Sequence, residues 1–450
     1  MTQLFALHSA YGLTTAVAAL DAGLIADDGG ERILVPFNTA RVPETTTGLD
    51  ELPNLATLRA RFDRIEPLDG ILTPLHPSSW LPDEVDLPTL NRLFTRAWTL
   101  DDDLELFVQS PQVAPARTLL SLFPNARITI IGDGLMTYSP IRVALGRTVV
   151  ERIGRVVYAD VVPGVEPLVF VEAGAARVPV PPAAFRAVLD ETAMPDPALD
   201  ALVDGTSTAL VLGQYLAALG LVSVDDEIAM QRDMVDRAMQ WHPERIIFKP
   251  HPSAPPSVTD AVRERALGHG AEFVEYRGVQ PAELIAERLD AVGVVAGFST
   301  ALPTVQALFD LPIASAGTEQ VLRRLTPFKN SNRVPVTIVD ALTRPNSPYR
   351  DPERLQLLID AVGYAMQPVI AEHLRPRAEE LLRQLSAAER RRYFTPARLM
   401  ELRLPGAPPE GAIRRALRSN GGAGRIEEFR LTLGGARRRA ARAWKAVRGS

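Results

Sequence analysis

The chain has 450 residues, with 46% hydrophobic and 23% charged side chains and a formal net charge of -5, a composition typical of soluble globular proteins. This length predicts two domains of roughly 150–200 residues each, because one hydrophobic core rarely grows so large. The sequence contains no cysteine, which excludes disulfide bonds and thiolate metal sites and fits a reducing cytoplasm, and it has no run of about 18 apolar residues that would predict a membrane-spanning helix.

The first half of the chain alternates short apolar runs with stretches of helical periodicity. The N-terminal stretch has no basic leader, so we interpret it as a strand, a loop and a helix and not as a signal peptide. Alternation at this spacing predicts a parallel sheet with helices on both faces. The predicted strands are "LFAL", "RILVPF", "GILTPL", "LELFVQ" and "RITII", and the predicted helices end at Ala22 or lie around residues 52–62, 87–97 and 114–122.

A second alternation follows a proline-rich stretch over residues 163–197, which we interpret as the passage between two α/β domains. In facing open sheets of this kind, ligands bind beyond the carboxyl ends of the strands. A helical stretch over residues 373–403 closes the fold. The predicted strands are "TALVLGQYL", "RIIFKPHP", "AEFVEY", "AVGVVAGFS" and "LPIAS", and the predicted helices lie around residues 225–239, 258–267, 281–288 and 304–309.

We divide the chain where its composition changes. The division gives an N-terminal Rossmann-like domain over residues 1–185, a linker over residues 186–204, a C-terminal Rossmann-like domain over residues 205–365, helices over residues 366–410 and a basic tail over residues 411–450. The tail carries 11 Lys and Arg against two Glu, a net of +9, which leaves -5 - 9 = -14 for residues 1–410. With Trp444 and Val447 among its arginines, the tail is predicted to bind an anionic membrane surface. The alternative is a solvated tail.

The segment "KPHP" places one histidine between two prolines directly after an apolar run. Pro250 and Pro252 restrict the backbone around His251, so its side chain projects from an extended and stiff segment. An imidazole can donate a hydrogen bond to a phosphate oxygen. Lys249 is one of only three lysines in the chain, and in an extended segment it points to the same side as His251. Lys249 could hold a ligand group or a nearby carboxylate, and a lone histidine is often a packed or surface residue.

The segment "GFSTALPTVQALF" joins a predicted strand to a predicted helix. The hydroxyls of Ser299 and Thr300 and the free N–H groups of the first helical turn form an anion site of phosphate size. The alternative is an ordinary helix N-cap. The segment does not match G-x-S-x-G, the motif of a nucleophile elbow, because Ala301 lies where that motif needs its second glycine.

The segment "GDG" follows the predicted strand "RITII". Asp133 lies between two glycines that allow a ligand to approach, so its carboxylate could act as a general base in a cleft. The alternative is a turn aspartate. The acidic run Asp101–Asp103 projects in different directions and predicts a turn, not a metal site. The chain contains neither a G-x-x-x-x-G-K-[ST] loop nor a G-x-G-x-x-G fingerprint.

With "GDG", "KPHP" and "FST" in this order on two α/β units, the chain resembles bacterial sialyltransferases, especially the polysialyltransferase and lipooligosaccharide sialyltransferase group. The resemblance covers about residues 1–365 and implies a GT-B fold, in which two Rossmann-like domains face a central cleft. That group has a D/E-D/E-G motif, an HP motif and a later Ser/Thr pair. In this chain Gly132 occupies the first acidic position of the D/E-D/E-G motif, so the first acid is missing. Asp133 and Gly134 match the other two positions.

The resemblance implies roles for residues at the matching positions. Asp133 is implied as the catalytic base, and His251 with Pro252 as the HP motif that contacts the donor phosphate. Lys249 would approach the cytosine, and Ser299 with Thr300 would bind phosphate. The acid that binds the ribose hydroxyls would be Glu283 in "QPAELI", with Glu275 as the alternative.

Residue pattern and resemblance together predict an inverting glycosyltransferase in the cytoplasm, which would be peripheral at the inner face of the cell membrane if the basic tail binds lipid. A CMP-activated sialic acid or related nonulosonic acid would bind the second domain, and Asp133 would deprotonate a hydroxyl of a glycan acceptor. No metal or other cofactor is expected, because protein donors already offset the charge of a single phosphate. Two alternatives stay open: a transferase with another donor, such as CMP-Kdo or a UDP-sugar, and a noncatalytic scaffold in surface-polymer assembly.

Overall fold

A computed structural model describes residues 1–40, 47–218, 220–251 and 254–408. Residues Met1–Phe394 form one compact unit, and a second unit comprises Thr395–Ser450. Pro252 and the basic tail over residues 411–450 lie outside the described residues, so the predictions made for them stay predictions.

The first unit contains a seven-stranded sheet in the order β3-β2-β1-β4-β5-β6-β7, with all of its strands parallel. Its central strands are buried on both faces, which is why they are continuous apolar runs in the sequence. Phe5 and Phe107 stack across neighbouring strands, with ring centroids 4.1 Å apart. The strands are β1 (Thr2–Leu7), β2 (Arg32–Pro36), β3 (Arg64–Ile65), β4 (Leu104–Val108), β5 (Arg127–Ile131), β6 (Ile153–Ala159) and β7 (Ala176–Val180).

A second parallel sheet has five strands in the order β10-β9-β8-β11-β12. In both sheets the strand order reverses direction next to the first strand, which opens a crevice at the carboxyl ends of the strands. The predicted α/β class with two parallel-sheet domains is therefore confirmed. The strands are β8 (Thr208–Leu212), β9 (Arg245–Lys249), β10 (Glu272–Glu275), β11 (Gly293–Ala296) and β12 (Ile313–Ser315).

Helices cover both sheets and connect them. α14 follows the second sheet in sequence, yet it packs against the short 3-10 helix Gly134–Tyr138 of the first. None of the helices in the described part of the chain combines the length and apolarity needed to cross a membrane. The helices are α1 (Ala10–Asp21), α2 (Ala56–Arg59), α3 (Leu68–Leu72), α4 (Leu87–Ala97), α5 (Ala116–Leu122), α6 (Arg147–Val150), α7 (Pro182–Asp190), α8 (Pro197–Asp200), α9 (Val224–Ala238), α10 (Pro256–Gly268), α11 (Ala282–Arg288), α12 (Ala301–Phe309), α13 (Thr318–Arg324), α14 (Arg333–Thr343), α15 (Pro352–Met366), α16 (Arg375–Gln384), α17 (Ala387–Tyr393) and α18 (Pro396–Glu401).

The predicted strand "GILTPL" is wrong, because this segment contains α3 and a turn. Its apolar side chains are not buried as those of a central strand would be: Ile71 is 48% exposed and Leu75 is 43% exposed. Pro74 also removes a hydrogen-bond donor that an inner strand needs. A short apolar run does not by itself distinguish a strand from a helical turn.

The proline-rich stretch over residues 163–197 is more than a passage between domains. It contains β7, which lies at the edge of the first sheet, and α7. An edge strand tolerates Pro179 because it pairs on one side only. The domain boundaries at residues 185 and 205 fall between β7 and β8, and we keep that division as a proposal.

The helical stretch over residues 373–403 consists of three helices. Side chains of Ser386 and Thr395 accept hydrogen bonds from the backbone at the start of α17 and α18, respectively. The sequence pattern predicts one continuous helical stretch here, but each N-cap starts a separate helix and thereby divides it.

Candidate active site

Three polar side chains follow adjacent strands of the first sheet. His8 follows β1, Gln109 follows β4, and Asp133 comes two residues after β5. Because the strands are parallel and neighbouring, their carboxyl ends meet at one edge of the sheet. Sequence reasoning predicted Asp133 and missed His8, which directly follows the predicted strand "LFAL", and Gln109, which ends the predicted strand "LELFVQ".

The carboxylate of Asp133 is oriented by its surroundings. Its Oδ1 accepts a hydrogen bond from Gln109 Nε2 at 3.0 Å, and its backbone N–H donates to Thr137 Oγ1 at 2.7 Å. A cavity of about 110 Å³ beside it is lined by Ser110, Gln112, Thr137 and other residues of this edge. Asp133 is therefore not a solvent-exposed turn residue but a held carboxylate beside a cavity.

Position 132 has no room for the acid that the resemblance predicts there. A Cβ at Gly132 would lie 2.8 Å from Thr137 Oγ1 and 2.9 Å from Tyr158 Cβ. Such distances are too short for a side chain without movement of the neighbours. The departure at Gly132 follows from close packing and leaves Asp133 in place.

His8 lies near Asp133 at the same sheet edge. Its Nε2 is 2.9 Å from Ser110 Oγ, and its ring is 5.5 Å from that of Phe37. Burial lowers the pKa of His8, and the nearby charge of Asp133 opposes that effect. A neutral imidazole therefore adds a hydrogen-bonding group to this edge at neutral pH.

The predicted anion site lies at the start of α12, which follows β11. Ser299 Oγ accepts a hydrogen bond from the N–H of Ala301 at 3.2 Å. This bond is not an N-cap bond, because the N-cap residue of α12 is Thr300 and its side chain makes no capping hydrogen bond. Gln214, in the loop after β8, accepts the N–H of Phe298 at 2.8 Å through its side chain. The segment is thus held by the loop that follows the neighbouring strand β8, and Thr300 directly precedes α12.

Thr300 contacts the segment that carries Asp133. The N–H of Leu135 donates to Thr300 Oγ1 at 3.3 Å. A Cβ at Gly134 would lie 2.6 Å from the same oxygen. The "GDG" and "FST" segments, which belong to different sheets, therefore meet directly across the crevice.

This contact predicts a stability difference between two glycine substitutions. Gly134 has φ +51° and Gly23 has φ +67°, so alanine at either position should cost about 1–2 kcal/mol of backbone strain. A Cβ at Gly23 meets nothing within 4 Å, whereas one at Gly134 meets Thr300. In chemical denaturation we expect Gly134→Ala to lower the free energy of unfolding by about 1–3 kcal/mol more than Gly23→Ala does. Equal losses would contradict the contact.

Lys249 and Glu283 lie close enough to interact electrostatically. Lys249 Nζ donates to the carbonyl of Gly278 at 2.7 Å and lies 4.9 Å from the centre of the Tyr276 ring. Burial lowers the pKa of Lys249 and raises that of Glu283, and in both cases the charge of the other residue opposes the shift. These two predicted donor-binding residues therefore share one partly buried region.

Glu275, the alternative to Glu283, has other partners. It ends β10 at the edge of the second sheet and forms an ion pair with Arg277, with an N–O distance of 2.5 Å. Thr259 Oγ1 also donates to its carboxylate at 3.4 Å. The surroundings favour Glu283 over Glu275 for a role in ligand binding.

His251 is exposed two residues beyond β9, next to the loop that follows β8. Its ring centroid is 6.4 Å from that of Tyr215 in that loop. Desolvation by neighbouring protein atoms lowers the pKa of His251 although its side chain reaches solvent, and the charge of Glu227 opposes the effect. The Glu227 carboxylate accepts the N–H groups of Leu216 and Ala217 at 2.7 and 3.0 Å, which fixes the loop beside His251.

Tyr11 is another residue that sequence reasoning missed. Its ring packs against Phe185 at 5.1 Å, and its buried hydroxyl lies beside Thr304 of α12. Burial raises the pKa of Tyr11, and the charges of Glu283 and Asp133 raise it further. The Tyr11 side chain of α1 therefore lies within electrostatic range of acids from both sheets.

Cavity size alone does not locate this site. A cavity of about 850 Å³, lined by residues such as Val162, Trp241 and Arg344, contains none of the predicted site residues that the structure describes. The cavity of about 110 Å³ is lined by Asp133 but by none of the predicted donor-binding residues of the second sheet that the structure describes.

A family model described as alpha-2,8-polysialyltransferase (POLYST) matches residues 3–318, a range that contains every predicted site residue. No curated protein matches. The chain is similar to the GT-B domain of a sialyltransferase from Photobacterium damselae, with 11% identity, a TM-score of 0.39, and 76% of this chain and 96% of that chain covered.

Two other solved structures show a similar level of likeness. A glycosyltransferase from Rickettsia africae has 11% identity and a TM-score of 0.37, with 84% of this chain and 92% of that chain covered. MurG from Acinetobacter baumannii has 11% identity and a TM-score of 0.33, with 86% of this chain and 100% of that chain covered.

Proposed function

This chain belongs to the alpha-2,8-polysialyltransferase family and is a glycosyltransferase, and we propose that it transfers sialic acid or a related nonulosonic acid from a CMP-activated donor to a hydroxyl of a cell-surface glycan. The observation that carries the proposal is the hydrogen bond from the N–H of Leu135, two residues after Asp133, to Thr300 Oγ1. It brings the segment of Asp133 against the helix start where a donor phosphate would bind.

The donor nucleotide is assigned to the second sheet. The N–H groups at the start of α12 and the hydroxyls of Ser299 and Thr300 would bind the phosphate. Lys249 would approach the cytosine, and Glu283 the ribose hydroxyls. The shared region of Lys249 and Glu283 supports this assignment, because base and ribose belong to the same nucleotide.

Asp133 is assigned as the general base. Its Oδ1 is held by Gln109, which leaves Oδ2 to take the proton of the acceptor hydroxyl. The hydroxyl oxygen then bonds to the anomeric carbon of the donor sugar as the bond from that carbon to the phosphate oxygen breaks, with inversion. The cavity that contains Thr137 and Gln112 beside Asp133 supports entry of the acceptor from this side.

The charge that develops on the departing CMP would be stabilised by preorganised donors. Because its pKa is lowered, His251 acts as a neutral N–H donor at neutral pH. Together with Thr300 and the start of α12 it offsets the charge of one phosphate, so we propose that the reaction requires neither a metal nor another cofactor. Pro252, which lies outside the described residues, is proposed to keep this segment stiff.

The basic tail over residues 411–450 is proposed to hold the enzyme at an anionic membrane surface, on the cytoplasmic side where CMP-activated sugars would be used. Its net charge of +9 against -14 for the rest of the chain supports attraction to anionic lipid through the tail alone.

A donor panel tests the proposed specificity. We expect turnover with CMP-sialic acid to exceed that with CMP-Kdo and with UDP-sugars by at least tenfold, since each lost hydrogen bond to a charged group costs about 1.5–3 kcal/mol. Products with a small set of glycan acceptors are identified by mass spectrometry. Preference for a uridine donor would overturn the CMP assignment, and absence of CMP binding in calorimetry would favour a noncatalytic scaffold.

A further inference from the structure

The side-chain amide of Gln109 joins three segments at the edge of the first sheet. It is 0% exposed. Its Oε1 accepts the N–H of His8 at 3.1 Å, and its Nε2 donates to Ser9 Oγ at 2.7 Å and to Asp133 Oδ1 at 3.0 Å. Every heteroatom of this buried amide is therefore in use.

The orientation of the amide follows from its partners. A backbone N–H can only donate, so the atom of Gln109 that faces His8 must be the carbonyl oxygen. The NH₂ group then faces Asp133, and Oδ1 of that carboxylate must accept. A reversed amide would place two donors against each other and an oxygen against a carboxylate, which is costly in a buried site. Gln109 thus determines which carboxylate oxygen is occupied.

Gly12 in the first turn of α1 leaves the space that this amide fills. A Cβ there would lie 2.5 Å from Gln109 Oε1 and 2.6 Å from its Cδ. The N–H of Gly12 also donates to Ser9 Oγ at 3.0 Å, which ties the N-cap of α1 to the same network. A glycine inside a helix costs about 1 kcal/mol relative to alanine, so at this position it serves the close approach of Gln109.

We propose that Gln109 is a positioning residue for the catalytic base: with Ser9 and Gly12 it holds Oδ1 of Asp133 so that Oδ2 faces the acceptor hydroxyl. The inference rests on the proposed role of Asp133. Gln109 itself touches neither donor nor acceptor, and it acts by restricting the rotation of the carboxylate. Loss of this restriction should therefore slow the chemical step without weakening the binding of the nucleotide.

The direct test replaces the amide by a side chain of similar length without donors. In Gln109→Met we expect kcat to fall roughly tenfold to a hundredfold, because misplacement of a reacting group by about 1 Å can cost a hundredfold. The Kd for CMP, measured by calorimetry, should stay within about twofold of wild type, since the nucleotide is assigned to the other sheet. Gln356→Met is the matched control, because Gln356 binds the backbone of Glu166 away from the site.

A second test reaches Gln109 through its neighbour. Gly12→Ala should lower kcat by displacing the amide, whereas Gly70→Ala, another helical glycine whose Cβ would meet nothing within 4 Å, should leave kcat unchanged. The double variant Gly12→Ala/Gln109→Ala should be no slower than Gln109→Ala alone, because both changes act through one interaction. Additive losses would overturn the inference, as would a Gln109→Met enzyme with wild-type kcat or with kcat and CMP affinity reduced together.

Failure of the positioning role can be distinguished from failure of the proposed function. If Asp133→Ala is inactive and Gln109→Met turns over as wild type, only the positioning inference is wrong. If Asp133→Ala itself retains wild-type turnover, the base assignment is wrong whatever the Gln109 variants do.

Discussion

Asp133→Ala is expected to lower kcat by about 10²–10⁴-fold, the usual contribution of a general base. Removal of the carboxylate leaves the acceptor hydroxyl without a group that takes its proton, and the hydrogen bond from Gln109 Nε2 loses its acceptor. CMP affinity should remain near the wild-type value, because the nucleotide is assigned to the second sheet. Initial rates with saturating donor and acceptor, together with calorimetry of CMP, separate the two effects.

Asp102→Ala is the control for this prediction. Asp102 is an exposed acid of the run before β4, on the amino-terminal side of the first sheet and thus away from Asp133. Its replacement should leave both kcat and CMP affinity unchanged. Wild-type turnover by Asp133→Ala would show that another group, with His8 as the first candidate, takes the proton.

His251→Ala is expected to weaken CMP binding roughly tenfold to a hundredfold, since a hydrogen bond to a charged group contributes about 1.5–3 kcal/mol. It should also lower kcat, because the same donor stabilises the departing phosphate. This joint loss contrasts with the loss of kcat alone in Asp133→Ala. His269→Ala, which removes an exposed partner of Asp236 after α10, is the control and should change neither quantity.

The pH dependence gives a second readout for His251. The pKa of His251 lies below the ordinary value of 6.5, so the imidazole is neutral at pH 7–8 and gains a proton only at a pH below 6.5. A protonated imidazole attracts a phosphate more strongly than a neutral one. Because this protonation lies below pH 6.5, the ratio of CMP affinities between wild type and His251→Ala should widen as the pH falls from about 8 to about 5. A ratio that is constant or narrows over this range would contradict phosphate contact by His251.

Much of the fold was predictable because its signals are local. Central strands of a parallel sheet are buried on both faces, so β1, β4, β5 and the core of the second sheet are apolar runs bounded by turn residues. The predictions of secondary structure were wrong where apolar sequence and burial in a central strand do not coincide. α3 carries exposed apolar side chains, and β7 is an edge strand that accepts Pro179.

The candidate site was predictable only where chemistry and local stiffness coincide. Three features can be recognised from the sequence alone: Asp133 between glycines, His251 between prolines, and the adjacent hydroxyls of Ser299 and Thr300. Gln109 is not distinctive, because glutamine after a strand is common and its importance comes from a carboxylate 24 residues away. His8 and Tyr11 were missed for the same reason.

By itself the sequence determined that two parallel α/β sheets form, that Asp133, His251 and Ser299 follow strands of these sheets, and the family to which the chain is similar. These properties depend on neighbours within a few residues, through burial, helix capping and proline restriction. Only the tertiary structure decided that the segments of Gly134 and Thr300 touch, that Gly132 has no room for an acid, and that Gln109 holds one oxygen of Asp133. Leu135 and Thr300 are 165 residues apart, and their contact depends on how two separately formed sheets pack, which no local pattern encodes.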